Sequence, residues 1–385
     1  MTMISSLRWK FADPVHRTFV AERLKGLKQA LRSQIHGTTD ERSLRLATWN
    51  LMHFGDGGGY RRTEESMLYI AEIIDHFDLV AVQEVNRDLT ALETLIDNHL
   101  GDRWDYLVTD TASWRKRDRD AGNQERLAFL YRKSKVHFCK EVGEIVLPKG
   151  QEIAAPGEEG ITAKVQFART PFSVAFRSGW LKFKICTVHI FYGDAGKNSP
   201  KMRQRRDEIA RIAEFLASRQ EDEGQALVDR AKQAGWTEPE DARAGSNYIL
   251  LGDFNIVSPE HETMKALIDA GFSVPTELHA TNLDSTHYYD QIAIKAAEPG
   301  FSILHSGVFD MLAHVYRDAD ADHYVDHVKP AAFAKDSKGK PRSRDQQITY
   351  FKRTYRRNQM SDHKLLWCEV CVDYSDEYLA DIIAS

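Results

Sequence analysis

A layered α/β domain is the fold class that the sequence predicts, and three observations predict it. From Leu44 onward, apolar β-rich runs alternate with helical stretches. Hydrophobic residues make up 42% of the 385 and charged residues 28%, a balance that buries a large core and argues against disorder. No repeat at solenoid or propeller periods interrupts the pattern.

Residues 17–36 place Val20, Leu24, Leu27, Leu31 and Ile35 at helical spacing, which predicts a helix docked on the body of the protein. Gly37, Thr38 and Thr39 break that period. Strands are predicted over 44–52, 77–85, 126–133, 172–179, 181–190, 247–256, 288–296 and 365–374, each an apolar run bounded by turn or charged residues. Helices are predicted over 64–77, 89–100, 201–219 and 262–271. Residues 218–246 are polar and acidic with one weak helical stripe, and residues 313–349 mix acidic, histidine and Lys/Gly/Pro-rich text. Both read as insertions too short for a second domain. The expected organisation is a helical extension over 1–43, one elaborated catalytic domain over 44–373 and a short acidic helical tail over 374–385.

Four cysteines do not make a disulfide scaffold at this length. Cys139 and Cys186 lie in apolar runs, and the C-x-x-C of Cys368 and Cys371 falls on a predicted strand, where positions i and i+3 face opposite sides. The net charge of −5 offers no global attraction for nucleic acid, so such binding requires local patches. No apolar run approaches the roughly 18–20 residues that span a bilayer. The first residues lack the pattern of a secretory signal, so a cytoplasmic protein with no membrane partner is expected.

Several predicted strands end in one kind of polar residue. Asn50 follows LATW, Glu84 follows LVAVQ, His189 follows CTV, Asp253 and Asn255 lie in LLGDFN, Asp290 in HYYDQI, and Asp362–His363 precede KLLW. A lone Asn, Asp or His after a strand is ordinarily a turn former or a structural side chain. Their joint occurrence predicts one cleft at the strand ends. The residue types suit metal-assisted hydrolysis of a phosphate ester. A cation such as Mg²⁺ takes one or two carboxylates plus water and substrate oxygens, for which Glu84 with Asn50 or Asp362 is the candidate set. Asp253 or a carboxylate-oriented histidine would activate water, and a second histidine would protonate the leaving oxygen.

In order, T-W-N (48–50), V-Q-E (82–84), T-V-H (187–189), G-D-F-N (252–255), Y-D-Q-I (289–292) and S-D-H (361–363) resemble the motifs of the endonuclease/exonuclease/phosphatase superfamily. The resemblance spans about residues 45–373. It implies a four-layered α/β/β/α sandwich with two central mixed β-sheets and the active site at one end of them. Asn123-Gln124-Glu125-Arg126 before LAFLYR, Arg169-Thr170-Pro171, and Ser285-Thr286 before YYDQI are similar to the deoxyribonuclease I-like branch. By that resemblance, Glu125 orients His189 and Asp290 orients His363, giving an acid and a base. Glu84 holds Mg²⁺ (or Mn²⁺ or Ca²⁺) with Asn50 and Asp362 close by, Asp253 and Asn255 position water and phosphate, and Arg169 contacts a phosphate. Neither the signal peptide nor the disulfide of the branch's secreted enzymes is evident.

Three basic stretches, 114–120, 197–206 and 350–359, lie near Glu125, His189 and His363 respectively. The third interleaves Tyr350, Phe351 and Tyr355 with Lys352, Arg353, Arg356 and Arg357, which predicts contacts to phosphates and base faces, with Arg353 and Arg356 as substrate ligands. The expected activity is a Mg²⁺-dependent DNA endonuclease, with a phosphatase or phosphodiesterase for a small phosphate ester as the alternative. The N-terminal helix is the candidate contact for a protein partner. Asp318, Asp320, Asp322, His323 and His327 lack the glycine and glutamate of an EF-hand loop and read as an exposed acidic loop. The glycines of 55–62 lack a following G-K-[ST] and read as a loop beside Asn50.

Overall fold

In the computed structural model, which describes residues 4–35, 42–55, 60–110, 125–156, 162–194, 196 and 199–384, two mixed sheets lie face to face between helices. Among these residues the strands are β1 (Ser43–Phe54), β2 (Leu79–Asn86), β3 (Trp104–Val108), β4 (Glu125–Arg132), β5 (His137–Glu144), β6 (Ile153–Pro156), β7 (Thr162–Val165), β8 (Phe172–Ser178), β9 (Leu181–His189), β10 (Asn247–Asp253), β11 (Asp290–Lys295), β12 (Ile303–Phe309) and β13 (Leu365–Cys371). One sheet runs β12-β13-β1-β2-β4-β3, the other β11-β10-β9-β8-β5, and β6 pairs with β7 alone. The longer helices are α1 (Pro14–Gln34), α2 (Glu64–Ile74), α3 (Pro200–Gln233), α4 (Glu262–Asp269) and α5 (Ser375–Ala384).

The period of two sorts each strand's side chains between two cores. Leu44 and Leu46 of β1 face the other sheet, while Ala47, Trp49 and Leu51 join Leu24 of α1 and Ile70 of α2. Phe183 and Ile185 of β9 face inward, while Cys186 and Val188 meet Ile209, Ile212 and Leu216 of α3. Three cores therefore separate four layers, which is the α/β/β/α sandwich expected. In both sheets a central strand has an antiparallel neighbour on one side and a parallel one on the other: β13-β1-β2 and β11-β10-β9. That order brings the ends of β1, β2, β9 and β10 and the starts of β4, β11 and β13 to one edge.

Val20, Leu24, Leu27, Leu31 and Ile35 are all at most 3% exposed, each burial contributing roughly 1.5–3 kcal/mol. The stripe of α1 is thus spent inside the chain rather than offered to a partner. Asp13 caps this helix by accepting from Val15 N at 2.9 Å, with Pro14 at its first position. The segment 218–246 does not start as a separate element, because α3 runs unbroken to Gln233 with Gln220, Gly224, Val228 and Ala231 buried along one face. Nor is 318–327 an exposed loop: Asp320 is 2% exposed and pairs with Arg23 and Arg317, and Tyr324 lies in the core beside α1. The predicted aromatic platform at 350–359 is also core, since Phe351 and Tyr355 pack on Tyr324, Tyr316 and Phe333. Among the described residues no helix is long and apolar enough to cross a membrane.

Two buried arginines tie the loops beyond the strand ends. Arg205 of α3 donates to the carbonyls of Asn255 at 2.8 Å, Phe191 at 3.2 Å and Asp194 at 2.8 Å, and to that of Tyr192. Arg62 donates to the carbonyls of Tyr60 at 2.7 Å, Met52 at 2.9 Å and Met360 at 3.2 Å, and to that of Leu51. One turn beyond Arg205, Glu208 accepts from Ala168 N at 3.0 Å and Phe191 N at 3.4 Å.

Burial pushes Glu208 and Glu65 up to about 7. Each carboxyl therefore holds a proton more firmly folded than unfolded, where the ordinary value is 4.5. The stability so conferred is complete below the unfolded value and is lost as pH rises through 7. Unfolding midpoints measured from pH 6 to 9 are expected to fall with pH. Glu208→Gln, which keeps the shape without the charge, is expected to recover about 3 kcal/mol at the alkaline end. A variant as pH-sensitive as the parent would refute this account.

Candidate active site

The space between the sheets changes character at one level. Below it the inner faces carry Leu46, Ala81, Ile185 and Leu251. At the level itself, wholly buried Gln83 donates to Thr48 Oγ1 at 3.0 Å and to Thr187 Oγ1 at 2.9 Å, joining one sheet to the other. Two residues further along the same faces come Asn50 on β1 and His189 on β9, with Asp253 on β10 beside them. On the antiparallel strands the polar residue comes first: Glu125 before Leu127 and Phe129, and Asp290 before Ile292 and Ile294.

Backbone irregularities aim the remaining side chains. Pairing slips between Asn50 and Phe54 and between Val82 and Val85. Met52 (φ 44°), His53 (φ 51°) and Glu84 (φ 59°) occupy left-handed conformations within these slips, and Asn255 (φ 55°) does so beyond β10. Such conformations cost of order 1–3 kcal/mol each and persist only where surroundings impose them. A bulge at Glu84 turns its carboxylate toward the cleft, where it accepts from Asn50 Nδ2 and His53 N, both at 2.9 Å. Gly252 (φ 135°) serves another need, because a Cβ there would lie 2.1 Å from the Val188 carbonyl oxygen.

Two histidine–carboxylate pairs converge on Asp253. His363 Nδ1 lies 2.8 Å from Asp290 Oδ2, and its Nε2 is 3.8 Å from Asp253 Oδ2. His189 Nδ1 lies 3.0 Å from Glu125 Oε2, in a bent approach, and its Nε2 is 3.5 Å from the same Asp253 oxygen. Asp253 also accepts from Asn50 Nδ2 at 3.1 Å and Asn255 N at 2.9 Å. Burial would lower His363, but Asp290 and Asp253 outweigh it and hold the imidazole well above its ordinary range. Burial and Arg169 act to lower His189, and Glu125 and Asp253 reverse that. Burial would raise Glu125, yet His189 and Arg169 draw it far below the usual carboxylate range.

The fold thus assembles Asn50, Glu84, His189, Asp253, Asn255, Asp290 and His363, which the strand-end pattern singles out, with Glu125, which the family resemblance sets beside His189. The others are placed differently. Arg169, expected on a phosphate, holds Glu125 through Nε at 2.7 Å and Nη2 at 3.3 Å. Asp362 accepts from Arg357 at 2.8 Å, Arg356 bonds Asp318, and Arg353 is exposed. Residues 114–120 lie outside the described residues, as do 197 and 198. His53, three residues past Asn50 at the same strand end, was not anticipated. It groups with Glu84 and Glu125 so that one ligand atom from each lies within 4.8 Å of the others. Ser361, part of the S-D-H motif but given no role there, donates its hydroxyl to Asn50 O at 2.5 Å and accepts from His363 N at 2.9 Å.

No curated protein matches the chain. Solved structures resembling it include an endonuclease/exonuclease/phosphatase family protein from Bacteroides thetaiotaomicron, at 19% identity and TM-score 0.47, covering 86% of this chain and 95% of that one. Another is the human Nocturnin catalytic domain with bound sulfate, at 13% identity and TM-score 0.46, covering 86% and 94%. A third is a mannosyl-6-phosphatase from Bacteroides thetaiotaomicron, at 18% identity and TM-score 0.46, covering 85% and 99%. The sequence itself matches the model of the Endonuclease/Exonuclease/phosphatase family over residues 47–356, most of the chain and nearly all of the sandwich. With that match added to the paired histidines and carboxylates of the cleft, the protein belongs to the endonuclease/exonuclease/phosphatase family.

Proposed function

We propose that the protein is a Mg²⁺-dependent nuclease of the cytoplasm that hydrolyses phosphodiester bonds, with DNA as substrate and internal cleavage as its mode. The observation that carries this reading is the convergence of His189 and His363, each backed by its own carboxylate, on the single carboxylate of Asp253. Phosphodiester hydrolysis needs a base for the attacking water and an acid for the leaving oxygen, and two such dyads fill both roles. His363, kept protonated by Asp290, would donate to the leaving oxygen. His189, steered by Glu125, would take the proton of water held by Asp253 and Asn255.

The cleft fits a hard divalent cation. Glu84 spends one N–H contact on each carboxylate oxygen and keeps lone pairs for a metal, with Asn50 beside it and Asp362 nearby in sequence to His363. A bound Mg²⁺ (or Mn²⁺ or Ca²⁺) would neutralise charge on the phosphate. Arg353 would meet the nucleic-acid backbone from solvent, whereas Arg169 and Arg356 would have to leave carboxylate partners to do so. The burial of Phe351 and Tyr355 withdraws a stacking platform, and that favours a second reading, a phosphatase or phosphodiesterase for a small phosphate ester.

Nicking of supercoiled plasmid by the pure protein is expected with Mg²⁺ and not with EDTA. His189→Ala and His363→Ala are each expected to slow it by about a hundred- to ten-thousand-fold. Intact plasmid and RNA alongside phosphate release from small esters would transfer the cleft to the second reading. Arg169 and Arg353 separate by kinetics. Arg169→Ala is expected to lower kcat, because it frees Glu125, while Arg353→Ala is expected to raise KM and leave kcat unchanged. The reverse assignment would return Arg169 to the phosphate.

A further inference from the structure

Away from the cleft, two histidines meet where α1 packs against residues 318–328, with a third close by. His16 Nδ1 and His323 Nε2 face each other at 3.1 Å. His327 lies one helical turn beyond His323, the two ring centroids 5.1 Å apart. His16 turns its other nitrogen, Nε2, toward Glu65 Oε2 at 3.5 Å. That carboxylate is itself buried and accepts the hydroxyls of Tyr69 at 2.9 Å and Tyr324 at 2.5 Å. With Glu65 ionised, the His16 proton sits on Nε2 beside it, so Nδ1 accepts the proton of His323 Nε2 until a cation displaces that proton. Phe19 stacks on His323 with centroids 3.8 Å apart and rings 8° from parallel, which fixes the direction in which Nε2 points.

We propose that His16, His323 and His327 form a binding site for a zinc-like divalent cation, separate from the catalytic cleft, that pins α1 to the 318–328 segment. Two imidazole nitrogens bound at about 2.0–2.1 Å to one tetrahedral cation stand roughly 3.3 Å apart, close to the separation of His16 and His323. An imidazole set selects zinc, copper or nickel over Mg²⁺. A buried carboxylate on the far nitrogen of a ligating histidine is the usual means of setting its tautomer. His327 is exposed and lies on the π-helical turn Tyr324–Val328, where a wider turn lets its ring swing in as third ligand, with water as the fourth. An H-x-x-x-H pair alone lacks a third ligand, and the fold supplies it from α1, 307 residues away from His323.

The test is a Co²⁺ titration of the full, metal-stripped chain in excess Mg²⁺, followed by visible ligand-field absorption, with Zn²⁺ added separately in thermal unfolding. One equivalent is expected to give a tetrahedral-type band, and Zn²⁺ is expected to raise the midpoint. His16→Ala and His323→Ala are expected to weaken binding by at least about a hundredfold, and Glu65→Gln by about ten- to a hundredfold. His327→Ala, an exposed change that leaves the core intact, is expected to abolish the tetrahedral band. Glu84→Gln, in the cleft, is expected to leave it unchanged. No band in the parent protein, a band that survives His327→Ala, or one that disappears only with Glu84→Gln would each overturn the proposal.

Discussion

A change in polarity along the inner faces of two sheets, made at a single level, is the constraint on which the cleft depends. Gln83 makes it, by bonding at once to Thr48 in its own sheet and Thr187 in the other. A buried amide left unpaired would cost about 1–3 kcal/mol, so the three side chains hold one another in register. That register fixes the strand ends beyond it. Asn50 and His189 each sit two residues past a threonine of the triad, and the alternation that buries Leu46 and Ile185 also points them into the cleft.

Most of this was legible in the sequence because central strands advertise themselves. The eight predicted strands correspond to β1, β2, β4, β8, β9, β10, β11 and β13, all but β11 interior to their sheets. The larger-sheet strands that went unread, β3, β5 and β12, are edges. An edge strand needs less apolar surface: β5 exposes six of the eight residues in HFCKEVGE, and its signal is lost among those of loops. The site was legible for a related reason, since polar residues that end apolar runs stand out. What could not be read was partnership. Arg169 looks like any surface arginine until the fold sets it against Glu125, and Phe351 and Tyr355 look like a binding face until Tyr316 and Tyr324 cover them. The helical period of 318–327 was likewise hidden by its acidic composition.

The electrostatics of the cleft follow from an imbalance. Glu84, Glu125, Asp253 and Asp290 crowd one end of the sandwich, and Arg169 is already committed to Glu125. Two of the buried guanidiniums, those of Arg62 and Arg205, bond to carbonyl oxygens rather than to carboxylates. Their positive charge therefore remains available beneath the acidic cluster, acting on Glu84 and Asp362 from one side and on Asp253 from the other. Each arginine also anchors the loop that follows a central strand, so the same group sets both position and field.

The order of strands along the chain carries a consequence for biosynthesis. The second sheet is built wholly from residues 137–295, inserted between the two parts of the first. The strand that pairs with β1 on its open side, β13, is the last to be made, and His363 arrives only just before it. A ribosome that has delivered the first 350 residues has therefore produced one complete sheet, one incomplete sheet and only one of the two histidine dyads. The nascent chain gains its second imidazole in the same step that closes the first sheet around its centre, so the cleft is completed only together with the fold.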